Sequence, residues 1–213
     1  AAGELRPAAA LVLAGITGAA GFTIGFVTST QLGITLALYV AIQIVYSVYL
    51  KHLPVVDLAI VASGFLLRAI AGGVAANIPL SQWFLLVASF GSLFMVAGKR
   101  YSEMKSIGAE GGTRRSLERY SESYLRFIWM LAAVMVVISY SLWAFENRFQ
   151  AYLGVPWTAV SIAPFTLGLL QYALEVDAGS AGEPEDVVLH DRVLQGLGLV
   201  WLVVISIAVF LRN

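Results

Sequence analysis

Lys99, Arg100, Tyr101, Glu103 and Lys105 open the longest polar connection of the chain, residues 99–123. Beyond a break at Gly108–Gly112 it continues through Arg114, Arg115, Glu118 and Arg119. Arg forks match phosphate oxygens bidentately and Lys adds a compact charge, so this density of cations suits a phosphate-bearing ligand. Past the break Leu117, Tyr120, Tyr124 and Phe127 recur at helical spacing, which places Arg115, Arg119, Glu122 and Arg126 on another face. Arg115 and Arg119 then stand at i, i+4, where like charges repel unless an anion lies between them. A basic loop that only fixes topology or touches anionic headgroups is the competing reading, and the residues alone do not choose between the two.

A second constellation is Tyr46, Lys51, His52 and Asp57, followed by Arg68. Asp57 and Arg68 are eleven residues apart, close to three helical turns, so they share one face of a helix. An Arg inside a membrane span costs roughly 2.5–3.5 kcal/mol on insertion scales, so Arg68 calls for a polar cavity or a partner. A structural ion pair between helices is the alternative. His52 and His190 lie in polar connections with no second ligand at metal spacing. The connection from Glu175 to Arg192 is acidic and reads as solvated, although its Asp191-Arg192 pair offers a clasp for the basic connection. With no cysteine there are no disulfides, thiolate metal sites or cysteine nucleophiles. No P-loop, dinucleotide glycine pattern, Gly-x-Ser-x-Gly elbow or zinc-protease helix occurs, and no nucleic-acid partner is expected.

These residues need a scaffold, and the composition dictates its kind. Of 213 residues 59% are hydrophobic and 12% charged, with a mean hydropathy of +0.83. A soluble domain carries about a quarter charged residues, so this is a polytopic integral membrane protein. Uncharged windows near the 20 residues that span a bilayer fall roughly at 8–28, 33–50, 55–76, 82–98, 124–144, 156–174 and 193–211. They lack the dyad alternation of barrel strands, which makes the fold all-α. With the N-terminus inside, Arg6, Lys51, Lys99, Arg100, Lys105, Arg114, Arg115, Arg119, Arg126 and Arg192 face the cytoplasm, against Arg148 and Arg212 outside. Trp83, Trp143 and Trp157 then lie at outer helix ends, as interfacial aromatics do. Gly21 and Gly25 suit close helix packing. No repeat or linker divides the chain, so residues 1–213 form a single membrane domain. It begins with Ala rather than Met, and an N-terminal part is expected to precede it.

The ordered set Tyr46-x-x-x-Leu50-Lys51, Pro54, Asp57, Gly64-Phe65, Arg68, Gly72-Gly73, then Gly98-Lys99-Arg100-Tyr101-Ser102-Glu103, Arg115-x-Leu117-Glu118-x-Tyr120, Gly182-Glu183-Pro184-Glu185-Asp186 and Asp191-Arg192, covers nearly the whole chain. It resembles the decaprenyl-phosphate phosphoribosyltransferases of the UbiA superfamily of intramembrane prenyltransferases. The resemblance implies a UbiA-type bundle of nine transmembrane helices around a cavity open to the cytoplasm, of which the seven spans here match the last seven. The family's first Asp-rich motif, which binds magnesium, lies in its second helix and is absent from this sequence.

The activity so implied is transfer of 5-phosphoribose from phosphoribosyl diphosphate to polyprenyl (decaprenyl) phosphate, releasing diphosphate. The enzyme would be a magnesium-dependent glycosyltransferase of the bacterial cytoplasmic (inner) membrane with its site facing the cytoplasm, serving decaprenylphosphoryl-arabinose and cell-wall arabinan synthesis. Its partners are the two substrates and the lipid bilayer, and a homo-oligomer is compatible with it. By position Lys99, Arg100 and Glu103 stand at the superfamily's second Asp-rich motif. Lys99, Arg100, Arg115 and Arg119, with Arg114, are expected at the donor phosphates, beside Tyr101 in the same substrate-binding connection. Tyr46, Lys51, Asp57 and Arg68 are expected to line the cavity around ribose and phosphates, and Glu103 to bind Mg2+ or hold Lys99. The alternatives are an aromatic prenyltransferase of the same superfamily, which wants an Asp-x-x-x-Asp pair where Lys99 and Glu103 stand, and an anion or lipid transporter.

Overall fold

The computed structural model describes residues 7–110, 119–147 and 153–210, with the backbone alone at 7 and 107–110. The described residues are helical and contain no strand, in line with the all-α reading. In chain order they form α1 (Pro7–Thr28), α2 (Thr30–Val48), a 3-10 turn (Leu50–His52), α3 (Val56–Ala75), α4 (Gln82–Glu110) and α5 (Glu122–Glu146). Then come α6 (Trp157–Val160), α7 (Ile162–Ala178), α8 (Pro184–His190) and α9 (Arg192–Phe210). Seven segments are long and apolar enough to cross a membrane, α6 and α7 acting as one.

Local chemistry sets the ends. Ser29 and Ser121 cap α2 and α5 by accepting from the Leu32 and Tyr124 N–H groups at 3.1 and 3.2 Å. Gly179 closes α7 in the left-handed region at φ 90°, while its N–H and that of Ser180 return to the carbonyls of Val176 and Glu175. Pro184 occupies the first turn of α8, where its missing N–H costs nothing. Pro164 cannot donate to the Val160 carbonyl four residues back, and the helix breaks at Ser161 between α6 and α7.

Two expectations are corrected here. Residues 99–110 are not a loop: α4 runs on through Lys99 to Glu110, well past the end of its apolar window. Lys, Arg, Glu and Met are strong helix formers, so the helix outlasts the membrane boundary that the hydropathy marks. Arg119 and Tyr120 precede the Ser121 cap and therefore stand outside α5 rather than on its face. Arg114 and Arg115 lie outside the described residues.

The core joins α4, α5 and α7 through Phe94, Ala97, Tyr101, Leu125, Trp129 and Val176. Gly98 permits the approach of α4 to α7, since a Cβ there would lie 3.1 and 3.3 Å from the Val176 methyls. Of the paired glycines in α1, Gly25 alone packs, its missing Cβ facing Gly33 and Leu36 of α2; Gly21 meets open space. Apolar side chains such as Leu11, Val27, Leu170 and Leu199 cover the outside of the bundle. That is the arrangement lipid requires, because every helix satisfies its own backbone.

Candidate functional site

One end of the bundle gathers the C-termini of α2, α4 and α7 with the N-termini of α3 and α5, and the polar side chains collect there. Successive residues of a helix are about 100° apart, so the last apolar turns of α4 send neighbours in different directions. Arg100 turns toward α3 and pairs with the Asp57 carboxylate. Asp57 is 5% exposed and also accepts from the Tyr46 hydroxyl at 2.7 Å. Arg100 further donates to the Tyr120 hydroxyl at 3.4 Å and lies over that ring. The same phenol oxygen accepts from the Val55 N–H at 3.3 Å. Val55 holds φ 68°, a left-handed backbone that β-branched residues rarely adopt, and this bond helps to keep it there. Burial pushes the Tyr120 phenol above its usual range, so it stays an O–H.

Tyr101, the next residue, turns the opposite way and is fully buried. Its oxygen accepts from Arg126 at 2.6 and 3.1 Å and lies 3.3 Å from both Glu122 and Asp177. Lys105 donates to the Asp177 carbonyl, which completes a latch joining α4, α5 and α7.

A third direction faces open space. Lys99, Arg100 and Glu103 of α4 meet Pro184 and Glu185 of α8 around the mouth of a cavity of about 710 Å³. Val61 and Phe65 of α3 and Val87, Gly91, Met95 and Val96 of α4 line it below. Its character thus changes from charged at the mouth to apolar along the span. An anionic head and a hydrocarbon tail are matched by those two parts, the cations favouring the head and the apolar wall the tail.

The expected site residues divide accordingly. Lys99, Arg100 and Glu103 share the mouth. Tyr46 and Asp57 stand behind Arg100 and hold it, rather than lining the cavity. Lys51 is exposed on the 3-10 turn, and Arg119 donates to the His52 carbonyl beside it. Tyr101 is turned into the core. Asp57 and Arg68 are not partners: eleven residues at 1.5 Å separate them by roughly 16 Å along α3. Arg68 instead donates to the Tyr39 hydroxyl at 2.7 Å and lies over the Tyr39 and Phe65 rings, which is how the span accommodates its charge. Among the described residues no cation of the basic connection pairs with Asp191. Asp191 caps α9 by accepting from the Val193 and Leu194 N–H groups at 2.8 and 3.0 Å, and from Gln171 at 2.8 Å. Glu185, which the sequence offered only as part of the Gly182–Asp186 motif and without a site role, reaches the mouth on α8, a helix that Pro184 starts inside a segment expected to be a solvated loop.

Among the described residues no three His, Asp or Glu side chains converge as a metal cage. Magnesium, however, keeps several waters and binds through one or two carboxylates together with substrate phosphates. Glu103 and Glu185 at the mouth fit that donor set.

The sequence profile of the UbiA prenyltransferase family matches residues 1–190. The chain is 49% identical to the decaprenyl-phosphate phosphoribosyltransferase of Mycolicibacterium smegmatis, across 99% of this chain and 68% of that protein. It is 50% identical to proteins of the same name from Mycobacterium tuberculosis, over 93% of this chain and 64% of the relative, and from Corynebacterium glutamicum, over 84% and 54%. It therefore spans between about half and two thirds of the length of these curated relatives.

Proposed function

We propose phosphoribosyl transfer to a polyprenyl phosphate as the reaction of this chain, which belongs to the UbiA prenyltransferase family and is an integral membrane protein. The observation that carries the reading is the cavity whose charged mouth, Lys99, Arg100, Glu103 and Glu185, opens onto an apolar wall. Identity near 50% to relatives named for this transfer supports it.

A phosphate oxygen of the lipid attacks C1 of the ribose, the bond from C1 to the diphosphate oxygen breaks, and diphosphate leaves with the electron pair. The acceptor is already an anion, so no Ser/His dyad is required. What the protein must supply is positioning and charge, because two phosphorylated substrates repel and negative charge grows on the leaving group. Lys99 and Arg100 receive those phosphates. Asp57, which also accepts from Tyr46, pairs with one nitrogen of the Arg100 guanidinium, and Arg100 lines the cavity mouth. Glu103 and Glu185 would hold magnesium with the donor diphosphate, and bound there it would neutralise part of that charge. In this reading the charged end faces the cytoplasm, which the excess of Lys and Arg on that side supports, and the membrane is the bacterial inner membrane.

The test is the full gene product in lipid with magnesium, radiolabelled phosphoribosyl diphosphate and decaprenyl phosphate. Label entering the lipid phase supports the reading. A folded protein that moves no label, but prenylates an aromatic acid from a prenyl diphosphate, overturns it.

A further inference from the structure

Tyr120 ends one of the sequence motifs and has no part in the transfer as described so far. It is 8% exposed although it belongs to the polar connection, and its neighbours hold it firmly. Its ring stacks on Tyr124 of α5, with centroids 6.2 Å apart and planes 18° from parallel. Its oxygen accepts from the Val55 N–H at 3.3 Å, and the preceding Arg119 donates to the His52 carbonyl. Two adjacent residues thus clasp the turn between α2 and α3.

The atoms that meet Arg100 give Tyr120 its use. The Asp57 carboxylate and the Tyr120 hydroxyl both accept from Nη1 of Arg100, the hydroxyl at 3.4 Å. These two contacts account for both hydrogens of Nη1 and leave Nε and Nη2 to other partners. With one acceptor a planar guanidinium can still turn about the bond that joins the two groups. A second acceptor on the same nitrogen, with the Tyr120 ring centroid 5.7 Å from the guanidinium carbon, selects one plane. We propose that Tyr120 is a positioning residue for Arg100, fixing the plane in which the remaining N–H groups of the guanidinium meet a donor phosphate. This rests on the transfer reading above. Tyr120 does not line the cavity, so it acts through Arg100. Its second duty is separable from the first: Val55 holds φ 68°, a backbone that glycine adopts without strain and that the Tyr120 oxygen helps to retain in valine.

The test compares the full gene product in lipid and magnesium as wild type, Tyr120→Phe, Arg100→Gln and the double variant. Tyr120→Phe keeps the ring and its stack on Tyr124 and removes the oxygen. It is expected to lower kcat/KM for phosphoribosyl diphosphate about tenfold, the lower end for a hydrogen bond to a charged group, while KM for decaprenyl phosphate stays within about twofold. In the Arg100→Gln background the same change is expected to leave donor kcat/KM within about twofold, since the group it positions is gone. Adding Val55→Gly to Tyr120→Phe is expected to restore the melting temperature and not the donor kinetics. Wild-type donor kinetics in Tyr120→Phe, an equal loss with and without Arg100, or kinetics that recover together with the melting temperature overturns the positioning role while the transfer reading stands. Wild-type protein that moves no label overturns both. Should Tyr120→Phe fail to fold, a ring-fluorinated tyrosine in place of Tyr120 keeps the shape and makes the phenol more acidic. A pH step in donor kcat/KM that the wild type lacks then supports the role, and coincident pH profiles overturn it.

Discussion

Replacing Asp57 by Asn removes the charge that holds Arg100 while keeping an acceptor for the Tyr46 hydroxyl, 2.7 Å away. Losing one partner of a buried pair costs about 3–5 kcal/mol, mostly because the other charge is left unmatched. The Arg100 side chain is 17% exposed and opens on the cavity, so water relieves part of that penalty and about 3 kcal/mol is expected. At roughly 2–4 °C per kcal/mol for a chain of this size, the melting temperature falls by about 6–12 °C. A freed guanidinium no longer presents its fork to the donor, and kcat/KM for phosphoribosyl diphosphate drops by about 100-fold, or about 2.7 kcal/mol. Donor saturation curves and thermal unfolding of wild type, Asp57→Asn, Arg100→Gln and the double variant, in one detergent, measure both effects. The double variant is expected to regain part of the stability lost in Asp57→Asn, because the unmatched charge is gone. A destabilised Asp57→Asn protein with the wild-type donor curve, or a double variant whose losses simply add, refutes the positioning of Arg100 by Asp57.

Gly98→Leu drives a side chain into Val176 where α4 and α7 meet; overpacking of this kind costs about 1–3 kcal/mol, and an unchanged melting temperature contradicts the contact. Tyr101→Phe removes the acceptor of Arg126 and costs about 1–2 kcal/mol of stability, but leaves the donor KM alone because the ring points away from the cavity. The Leu194 N–H, then Gln171, hold the Asp191 carboxyl below its ordinary range. Its contribution is thus present above the unfolded value near 3.9 and fades as pH falls through the folded one. Acid titration of stability is expected to show a shallower fall for Asp191→Asn, and an identical curve removes the cap from the account.

The seven spans were legible because a helix in lipid must be apolar for its whole length, and the windows mark that directly. The same signal misplaced the end of α4, since the polarity change at Lys99 marks the membrane boundary while Lys99 to Glu110 remains helical. Lys99, Arg100 and Glu103 could be named from charge and order alone. Their directions could not be assigned without the neighbours: Arg100 finds Asp57 and Tyr101 finds Arg126, on opposite sides of one helix. Arg68 was rightly read as needing a partner, but Tyr39 is 29 residues upstream on another helix, a pairing no local spacing shows. Glu185 looked like any acid of a solvated connection until α8 brought it to the mouth.

In the proposed function, phosphate chemistry occurs at the Lys99 end of the amphipathic cavity. The most direct measurement is the rate of label transfer from phosphoribosyl diphosphate to decaprenyl phosphate, against donor concentration, for wild type, Lys99→Gln and Lys99→Arg in magnesium. Lys99 is exposed at the mouth, so neither variant should alter folding. A donor KM raised at least tenfold is expected in Lys99→Gln, with partial recovery in Lys99→Arg and unchanged melting temperatures. Wild-type donor kinetics in Lys99→Gln would place the reaction somewhere else in the bundle.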